Sequence, residues 1–475
     1  MKITRRRALI GLGGAALAVP AIQYGRWQAR DFDRPGFSPD LPAPPEGEQA
    51  WSNWSGLQQA TPQSIFVPKS EDELAAMMRT APGPIRPVGS GHSFTALVPS
   101  EGTIVDISRL SGLISADPAS GQATLGAGTR LRHAARLLSE VGLGFPNMPD
   151  IDVQTLAGSF STATHGTGRS LKALHDTVAG FRLVTPRGEI LDVTRAGNPD
   201  LFQAGKVSLG ALGVITQVTL DLVPSYALKK TAIIVPIEKI LNEAEALSHA
   251  HRHFESLLLP HTGHALLLVH DLHEGPVTGR PPSLDDDSLA DLKMMRDHLG
   301  WWPWARQQAF GAFLATQPEE RLTEISTDEY WKLLTTSRPT KFNEMEYHVP
   351  VENGLEALKQ VIAVLERRKD TYYPVEFRYT GQDDAWLSPF NDGVRNSIAV
   401  HAQASEPFEY LLEQIEPLLR QAGGRPHWGK LHTLGRADFA ALYPEFEAFN
   451  AIRAALDPEG KMLNPHLQTL FGSEG

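Results

Sequence analysis

Between Trp51 and Pro224 short apolar runs alternate with amphipathic stretches, and the hydrophobic period switches repeatedly between strand-like and helix-like spacing. Ile65-Phe-Val67 reads as a strand. Ser70-Glu-Asp-Glu73 forms a capping box that opens a helix from Leu74 to Thr80. Strands follow at Ile85 to Val88 and Thr103 to Ser108, and Gln122 to Gly126 leads through Ala127-Gly-Thr129 into a helix from Leu131 to Val141. Phe181 to Val184 and Glu189 to Val193 flank Pro186-Arg-Gly188, which carries the turn chemistry of a hairpin. Gly210 to Leu220 is a glycine turn feeding an apolar strand. This block is α+β, with its glycine loops between strands and helices. From Tyr226 the texture changes. Helical patterns at Ile237 to His253, Leu355 to Arg368 and Phe408 to Ala422 alternate with strands such as Ala265 to His270. The sharpest alternation sets Val375, Phe377 and Tyr379 against Glu376 and Arg378, so an acid and a base share one strand face. No internal repeat and no coiled-coil heptad interrupts the pattern.

A chain of 475 residues exceeds one ordinary core, so two or three domains are expected. With 41% hydrophobic and 21% charged residues the chain is globular in composition rather than disordered. The net charge of −11 argues against nucleic acid and against an anionic membrane surface as partners. Cysteine is absent, which removes disulfides, thiol catalysis and thiolate metal sites. Lys2 and Thr4-Arg-Arg-Arg7 precede an apolar run from Ala8 to Ala21, too short for a confident membrane span. Residues 1–21 therefore read as an export signal. The paired arginines point to the twin-arginine route and a periplasmic or exported protein. Ala16-Leu-Ala18 offers a cleavage site, and retention as an anchor at the membrane is the alternative. Gly11-Leu-Gly-Gly-Ala-Ala16 matches a dinucleotide fingerprint in letters only, because no strand precedes it. Residues 22–50, rich in proline, glycine and acidic residues, read as a linker or wrapping arm.

Two glycine stretches carry the chemistry. The first is Arg86-Pro-Val-Gly-Ser-Gly-His-Ser-Phe94, a strand end running into a loop with one histidine. Gly89 and Gly91 let the backbone turn and present N–H groups to phosphate oxygens. Two glycines near a histidine also make ordinary turns. The second stretch, Thr155-Leu-Ala-Gly-Ser-Phe-Ser-Thr-Ala-Thr-His-Gly-Thr-Gly168, shifts the balance. With Gly210 to Thr216, these stretches resemble the FAD-contacting segments of the vanillyl-alcohol-oxidase (p-cresol-methylhydroxylase) superfamily. Val375-Glu-Phe-Arg378, Trp386-Leu-Ser-Pro389, Pro426-His-Trp-Gly-Lys430, Leu456-Asp-Pro-Glu-Gly460 and Asn464-Pro-His narrow the likeness to sugar-lactone (arabinono- and gulono-lactone) oxidases and alditol oxidases.

The resemblance implies a two-domain flavoprotein. A PCMH-type FAD-binding domain would span 51–225, a substrate (cap) domain on an antiparallel sheet with helices 226–430, and a C-terminal segment, 431–475, would return to the first. It places Pro87, Gly89, Ser90, Gly91, His92, Ser93, Thr155, Gly158, Ser159, Thr162, Thr164, His165, Gly166, Gly213, Val214 and Ile215 around FAD. His92 would be bonded to the flavin methyl carbon and His165 would be structural. The implied reaction is hydride transfer from a carbinol carbon of a polyol, aldose or aldonolactone to flavin N5, with dioxygen then reduced to hydrogen peroxide. Arg378 would stabilise charge near flavin N1, Glu376 would accept hydrogen bonds from substrate hydroxyls, and Lys430 would stabilise a developing alkoxide. Asp150, His401 and Gln403 are further substrate candidates, and Pro149 is the candidate for controlling oxygen access.

Two rival readings stand beside this one. A dehydrogenase would pass electrons to a quinone or cytochrome, and a degenerate flavoprotein scaffold would only bind carbohydrate. No metal is expected: His249, His251 and His253, spaced by two in a helical pattern, point in different directions. There is no HExxH, GxSxG or Walker motif. Trp301-Trp-Pro-Trp304 reads either as a sugar-stacking platform or as packing against a neighbouring helix.

Overall fold

The computed structural model describes residues 20–35, 49–281, 285–318, 322–336 and 338–472. Most of the expected export signal, residues 1–19, and residues 36–48 of the expected linker lie outside them.

The first domain begins with a small parallel sheet. Strands β1 (Ser64–Phe66) and β2 (Ile85–Val88) both pair in parallel with β3 (Thr103–Asp106), which lies between them. Helix α1 (Glu71–Thr80) makes the crossover from β1 to β2. The Ser70 hydroxyl accepts from the Glu73 amide, while the Glu73 carboxylate accepts from Lys69 N–H, one residue before the N-cap. A five-stranded antiparallel sheet follows, with β4 (Leu113–Asp117), β5 (Gln122–Gly126), β6 (Val178–Val184), β7 (Ile190–Thr194) and β8 (Val214–Asp221) in the order β7-β6-β8-β5-β4. Helix α2 (Leu131–Glu140) buries Leu131, Ala134, Ala135 and Leu138 on one face. The short helix α3 (Leu156–Ser161) starts at the N-cap Thr155, and α4 (Pro199–Lys206) follows β7.

The second domain is one eight-stranded sheet. Its strands are β9 (Ala227–Pro236), β10 (His253–Leu259), β11 (His264–His273), β12 (Thr323–Glu329), β13 (Phe342–Pro350), β14 (Val375–Thr380), β15 (Arg395–Gln403) and β16 (Arg425–Pro426). They run in the order β12-β9-β11-β10-β14-β15-β13-β16, and every pairing is antiparallel. Period two gives this sheet two unlike faces. Val375, Phe377, Tyr379, Met345, Tyr347, Val349, Ile398 and Val400 form an apolar face, while Glu376, Arg378, Glu344, Glu346, His348, Ser397 and His401 occupy the other. The first domain covers the polar face. Gly168 N–H donates to the Tyr379 carbonyl (2.8 Å), Gly381 N–H to the Leu171 carbonyl (2.8 Å), and His165 Nε2 lies 3.0 Å from Glu346.

Helix α5 (Ile237–Ala250) ends earlier than its pattern predicts. His251 lies beyond it, 2.7 Å from Asp271, and His253 starts β10, so these histidines do not share a helix. The expected helix at Phe408 to Ala422 contains a π-helical stretch, Leu411–Ile415, ahead of an α-helical one, Glu416–Gln421. From the last two residues of the expected export signal into the expected linker, residues 20–28 are helical and seat Trp27 on α6 (Asp285–Leu299), where its indole N–H donates to the Arg296 carbonyl (3.1 Å). The C-terminal segment runs back to the first sheet, where Ile85 N–H donates to the Lys461 carbonyl (2.6 Å) and Asn464 Nδ2 to the carbonyls of Ala96 and Pro99 (both 2.8 Å).

Candidate active site

A cleft of about 1000 Å³, its open mouth included, runs along the first domain and ends against the second. Its wall comprises Pro87 to Ser93, Thr155, Gly158, Thr162 and Gly213 to Ile215, with Trp51, Gln154, Ser208 to Gly210, His427, Gly429 and Lys430. Two glycines shape it for different reasons. A Cβ on Gly89 would lie 2.1 Å from Thr155 Oγ1, so only glycine allows the first loop to touch the start of α3. Gly91 has φ +64°, a left-handed conformation that other residues rarely adopt. The loop is also braced from behind. The buried Arg86 guanidinium donates to the carbonyls of Leu97 (2.7 Å), Leu209 (2.6 Å), Gly210 (3.0 Å) and Met462 (2.5 Å), joining the glycine segments at one point. Burial pushes its pKa down to about 9, against the pull of Asp457.

The donors in this cleft fit a dinucleotide. Among the described residues, the backbone N–H groups of Ser90, Gly91, His92 and Ser93 donate to no protein acceptor, and all four residues line the cleft. Such a run of free amides suits a pyrophosphate. Gln154 Oε1, also on the wall, is a buried acceptor without a partner. His92 stacks on Trp54 with ring centroids 5.1 Å apart. Burial pushes its pKa down to about 4, helped by the nearby charges of Lys430 and Arg130, so its imidazole is neutral at neutral pH.

Four of the residues expected around FAD do not line the cleft. Ser159 is fully buried, with its hydroxyl donating to the Leu156 carbonyl (2.9 Å), and Thr164 Oγ1 is buried without a partner. Gly166 is closed in by the Met148 carbonyl, 2.2 Å from where its Cβ would sit. His165 sits behind the cleft, against the sheet, beside Glu346 and with its ring centroid 4.9 Å from that of His348. Gln154 and His427 join the wall without having been singled out as site residues in the sequence, and the Arg130 charge acts on His92.

Beyond the cleft mouth the polar sheet face gathers a charged network. Lys430 contacts Glu344 on β13, and Glu344 lies 3.7 Å from His401 on β15. The ligand-capable atoms of Glu344, Glu376 and His401 all lie within 4.8 Å of one another. Glu376 pairs with Arg378 two residues along β14, and Arg378 reaches Glu255 on the adjacent β10 at 3.3 Å. Burial by itself would raise the Glu376 pKa, but the Arg378 charge and a hydrogen bond from Glu255 hold it down at about 2. Glu255 goes the other way: burial, with Glu376 beside it, pushes it well above the usual carboxylate range against the opposing pull of Arg378. Burial would lower the Arg378 pKa, and its two carboxylates more than reverse this.

Asp150 stands close enough to this network to act electrostatically on Arg378 and Glu255. The Asp150 carboxylate accepts from Arg338 Nη2 (2.8 Å) and Thr336 Oγ1 (2.5 Å), which fastens the loop before α3 to the second domain. Gln403 Oε1 accepts from the Tyr372 hydroxyl. Pro149 is buried and is not on the cleft wall. His401 packs edge-on to Phe342, centroids 4.9 Å apart, and Phe342 in turn meets Trp54 at 5.0 Å, which links the network to the histidine loop.

A run of free amides suited to a pyrophosphate, a neutral histidine and a charged polar face beside them fit an FAD-dependent oxidoreductase acting on CH–OH donors. Comparisons with known proteins agree. The FAD-binding-domain model matches residues 62–194, and the model of D-arabinono-1,4-lactone oxidase matches residues 218–470. An L-gulono-1,4-lactone dehydrogenase of Mycobacterium tuberculosis is 32% identical over 444 residues, covering 89% of this chain and 99% of its own. An L-gulonolactone oxidase of Bos taurus is 29% identical, covering 89% and 98%. The crystal structure of a cholesterol oxidase from B. sterolicum superposes with a TM-score of 0.70 at 17% identity, over 91% of this chain and all of that one (100%), which establishes the shared two-domain fold. The chain belongs to the D-arabinono-1,4-lactone oxidase family.

Proposed function

We propose that this protein oxidises a carbinol carbon of an aldono-1,4-lactone, with open-chain polyols as the neighbouring substrate class. The observation that carries this reading is the convergence of Lys430, Glu344, Glu376, His401 and Arg378 on one sheet face at the end of the His92 cleft. A lactone or polyol presents several adjacent hydroxyls, and ionised acceptors beside fixed donors are what such a ligand requires. Bound FAD supplies the hydride acceptor of a two-electron oxidation. Glu376, with its pKa near 2, serves as a hydrogen-bond acceptor for substrate hydroxyls rather than as the base. Lys430, on the cleft wall, stabilises negative charge on the carbinol oxygen as its proton leaves. Arg378 lies between Glu376 and Glu255 and contributes a fixed cation. The neutral His92 ring is the proposed point of covalent attachment.

With dioxygen as acceptor, carbinol and oxygen become a carbonyl and hydrogen peroxide. A second reading passes the electrons to a quinone or cytochrome, favoured by the dehydrogenase name of the Mycobacterium tuberculosis relative. The export reading of residues 1–21 is compatible with either. The test is anaerobic bleaching of the flavin spectrum by L-gulono-1,4-lactone, D-arabinono-1,4-lactone and xylitol, then admission of oxygen. Bleaching by a lactone with rapid reoxidation and stoichiometric peroxide supports the oxidase. Slow reoxidation accelerated by cytochrome c supports the dehydrogenase, and bleaching by none of the three ends the proposal. Yellow colour that stays with acid-precipitated protein, and is lost in His92→Ala, supports the covalent link.

A further inference from the structure

The turn after α6 and the start of α7 (Pro303–Ala315) together carry Trp301-Trp-Pro-Trp304, and this segment does not pack inward. Trp302 is 47% exposed and Trp304 61%. The rings form a contiguous string: Tyr24 to Trp301 (6.2 Å), Trp301 to Trp302 (5.4 Å) and Trp302 to Trp304 (5.7 Å). Tyr24, itself 42% exposed, belongs to the N-terminal helix over residues 20–28. That helix is fixed here, with Trp27 buried against Gly300 and bonded to the Arg296 and Asp297 carbonyls (both 3.1 Å). The only charged side chain on α7 is Arg306, which is buried, so its outward face presents no charge. None of these residues lines the cofactor cleft.

We propose that this aromatic turn is a membrane-contact surface, seated in the headgroup region of a lipid bilayer. Tryptophan and tyrosine are the side chains that settle at that depth, having a large apolar ring with one polar atom to hydrate. The occupant follows from the chain itself. The described residues begin at residue 20, beside the aromatic string, and the sequence directly before it is the apolar run from Ala8 with Arg5, Arg6 and Arg7 ahead. Any bilayer that receives this run lies next to Tyr24 and Trp301. Arg26 on the same segment, and Lys369, whose ammonium reaches the Trp301 carbonyl at 3.5 Å, supply cations on this side, while Arg30 is paired with Asp370 at 2.9 Å. The net charge of −11 opposes attraction from a distance, so the contact rests on ring insertion and not on charge. Among the described residues no helix is long and apolar enough to cross a membrane, so the surface rests on the bilayer without spanning it.

Bromine on lipid acyl chains quenches only indoles that insert. Purified holoenzyme mixed with vesicles of dibrominated phosphatidylcholine is expected to lose tryptophan emission relative to unbrominated vesicles, and Trp302→Phe/Trp304→Phe to lose most of that difference while still sedimenting with the vesicles. Trp302→Ser/Trp304→Ser should reduce vesicle partitioning about tenfold or more, with the flavin spectrum and turnover unchanged. Equal quenching in the holoenzyme and the phenylalanine variant overturns the proposal, as does unchanged partitioning of the serine variant. A concentration-dependent dimer abolished by the serine variant, without vesicle binding, would assign the surface to a second copy instead.

Discussion

At the scale of single residues the site is a problem in placing three carboxyl groups, Glu344, Glu376 and Glu255, beside two cations, Lys430 and Arg378. Glu376 and Glu255 share Arg378, and their proton affinities are driven apart, Glu376 held down by the Arg378 charge while burial pushes Glu255 up towards its protonated form. Glu376→Gln keeps the shape but removes the charge, and is expected to lower kcat/KM by about 100-fold or more. Glu255→Gln imitates the protonated acid and should leave kcat/KM nearly unchanged. Glu255→Ala removes one of the two partners of Arg378 and should destabilise the fold by about 1–3 kcal/mol. Steady-state kinetics and urea melts of the three variants check the set. A severe kinetic loss in Glu255→Gln would mean that this carboxyl works ionised.

At the scale of elements, legibility followed period and ended where pairing begins. The alternation in β14 announced Glu376 and Arg378 because apolar neighbours sharpen it. The same alternation marks Glu344, Glu346 and His348 on β13, yet one strand's pattern does not say which strand lies beside it, and only the β13–β15–β14 register brings Glu344 to Glu376. Glu255 was hidden differently, since the helical pattern from Ile237 appeared to run through His253 and masked the start of β10. The glycine loops were readable as loops, but the contact between them was not. Gly89→Ala tests that contact. A methyl 2.1 Å from Thr155 Oγ1 forces the first loop away from α3, a strain of about 1–3 kcal/mol. The flavin-to-protein absorbance ratio of the purified variant should fall, and Thr155→Ala in the same chain should restore part of it. A normal ratio in Gly89→Ala alone would show that the loop yields without cost.

At the scale of the molecule, distant parts of the chain close the structure, and no local pattern predicts them. Arg86 collects carbonyls from Leu209, Gly210 and Met462, and His165 in the second glycine loop meets Glu346 across the domain boundary. This closure buries histidines as well as apolar side chains. His270 in the second sheet, His427 beside the cleft and His432 in the C-terminal segment each have a pKa pushed down to about 3, with burial the largest cause. The sign follows from linkage. Each ring binds a proton more weakly folded than unfolded, so its contribution is fully present above its ordinary pKa of 6.5 and is lost as pH falls towards 3. By pH 5 the loss is about 2 kcal/mol per histidine. The Glu376 carboxylate, whose ordinary pKa is 4.5, adds to this only below that value. Melting temperature should therefore fall steeply between pH 7 and pH 5, before most carboxylates titrate. His270→Gln and His432→Gln, which lie away from the cleft wall, should lower the melting temperature at pH 7 yet flatten its dependence on pH. A melting temperature constant from pH 7 to pH 5 in the parent protein would mean that these rings find proton-stabilising partners when charged, and that the closed interior tolerates charge at those positions.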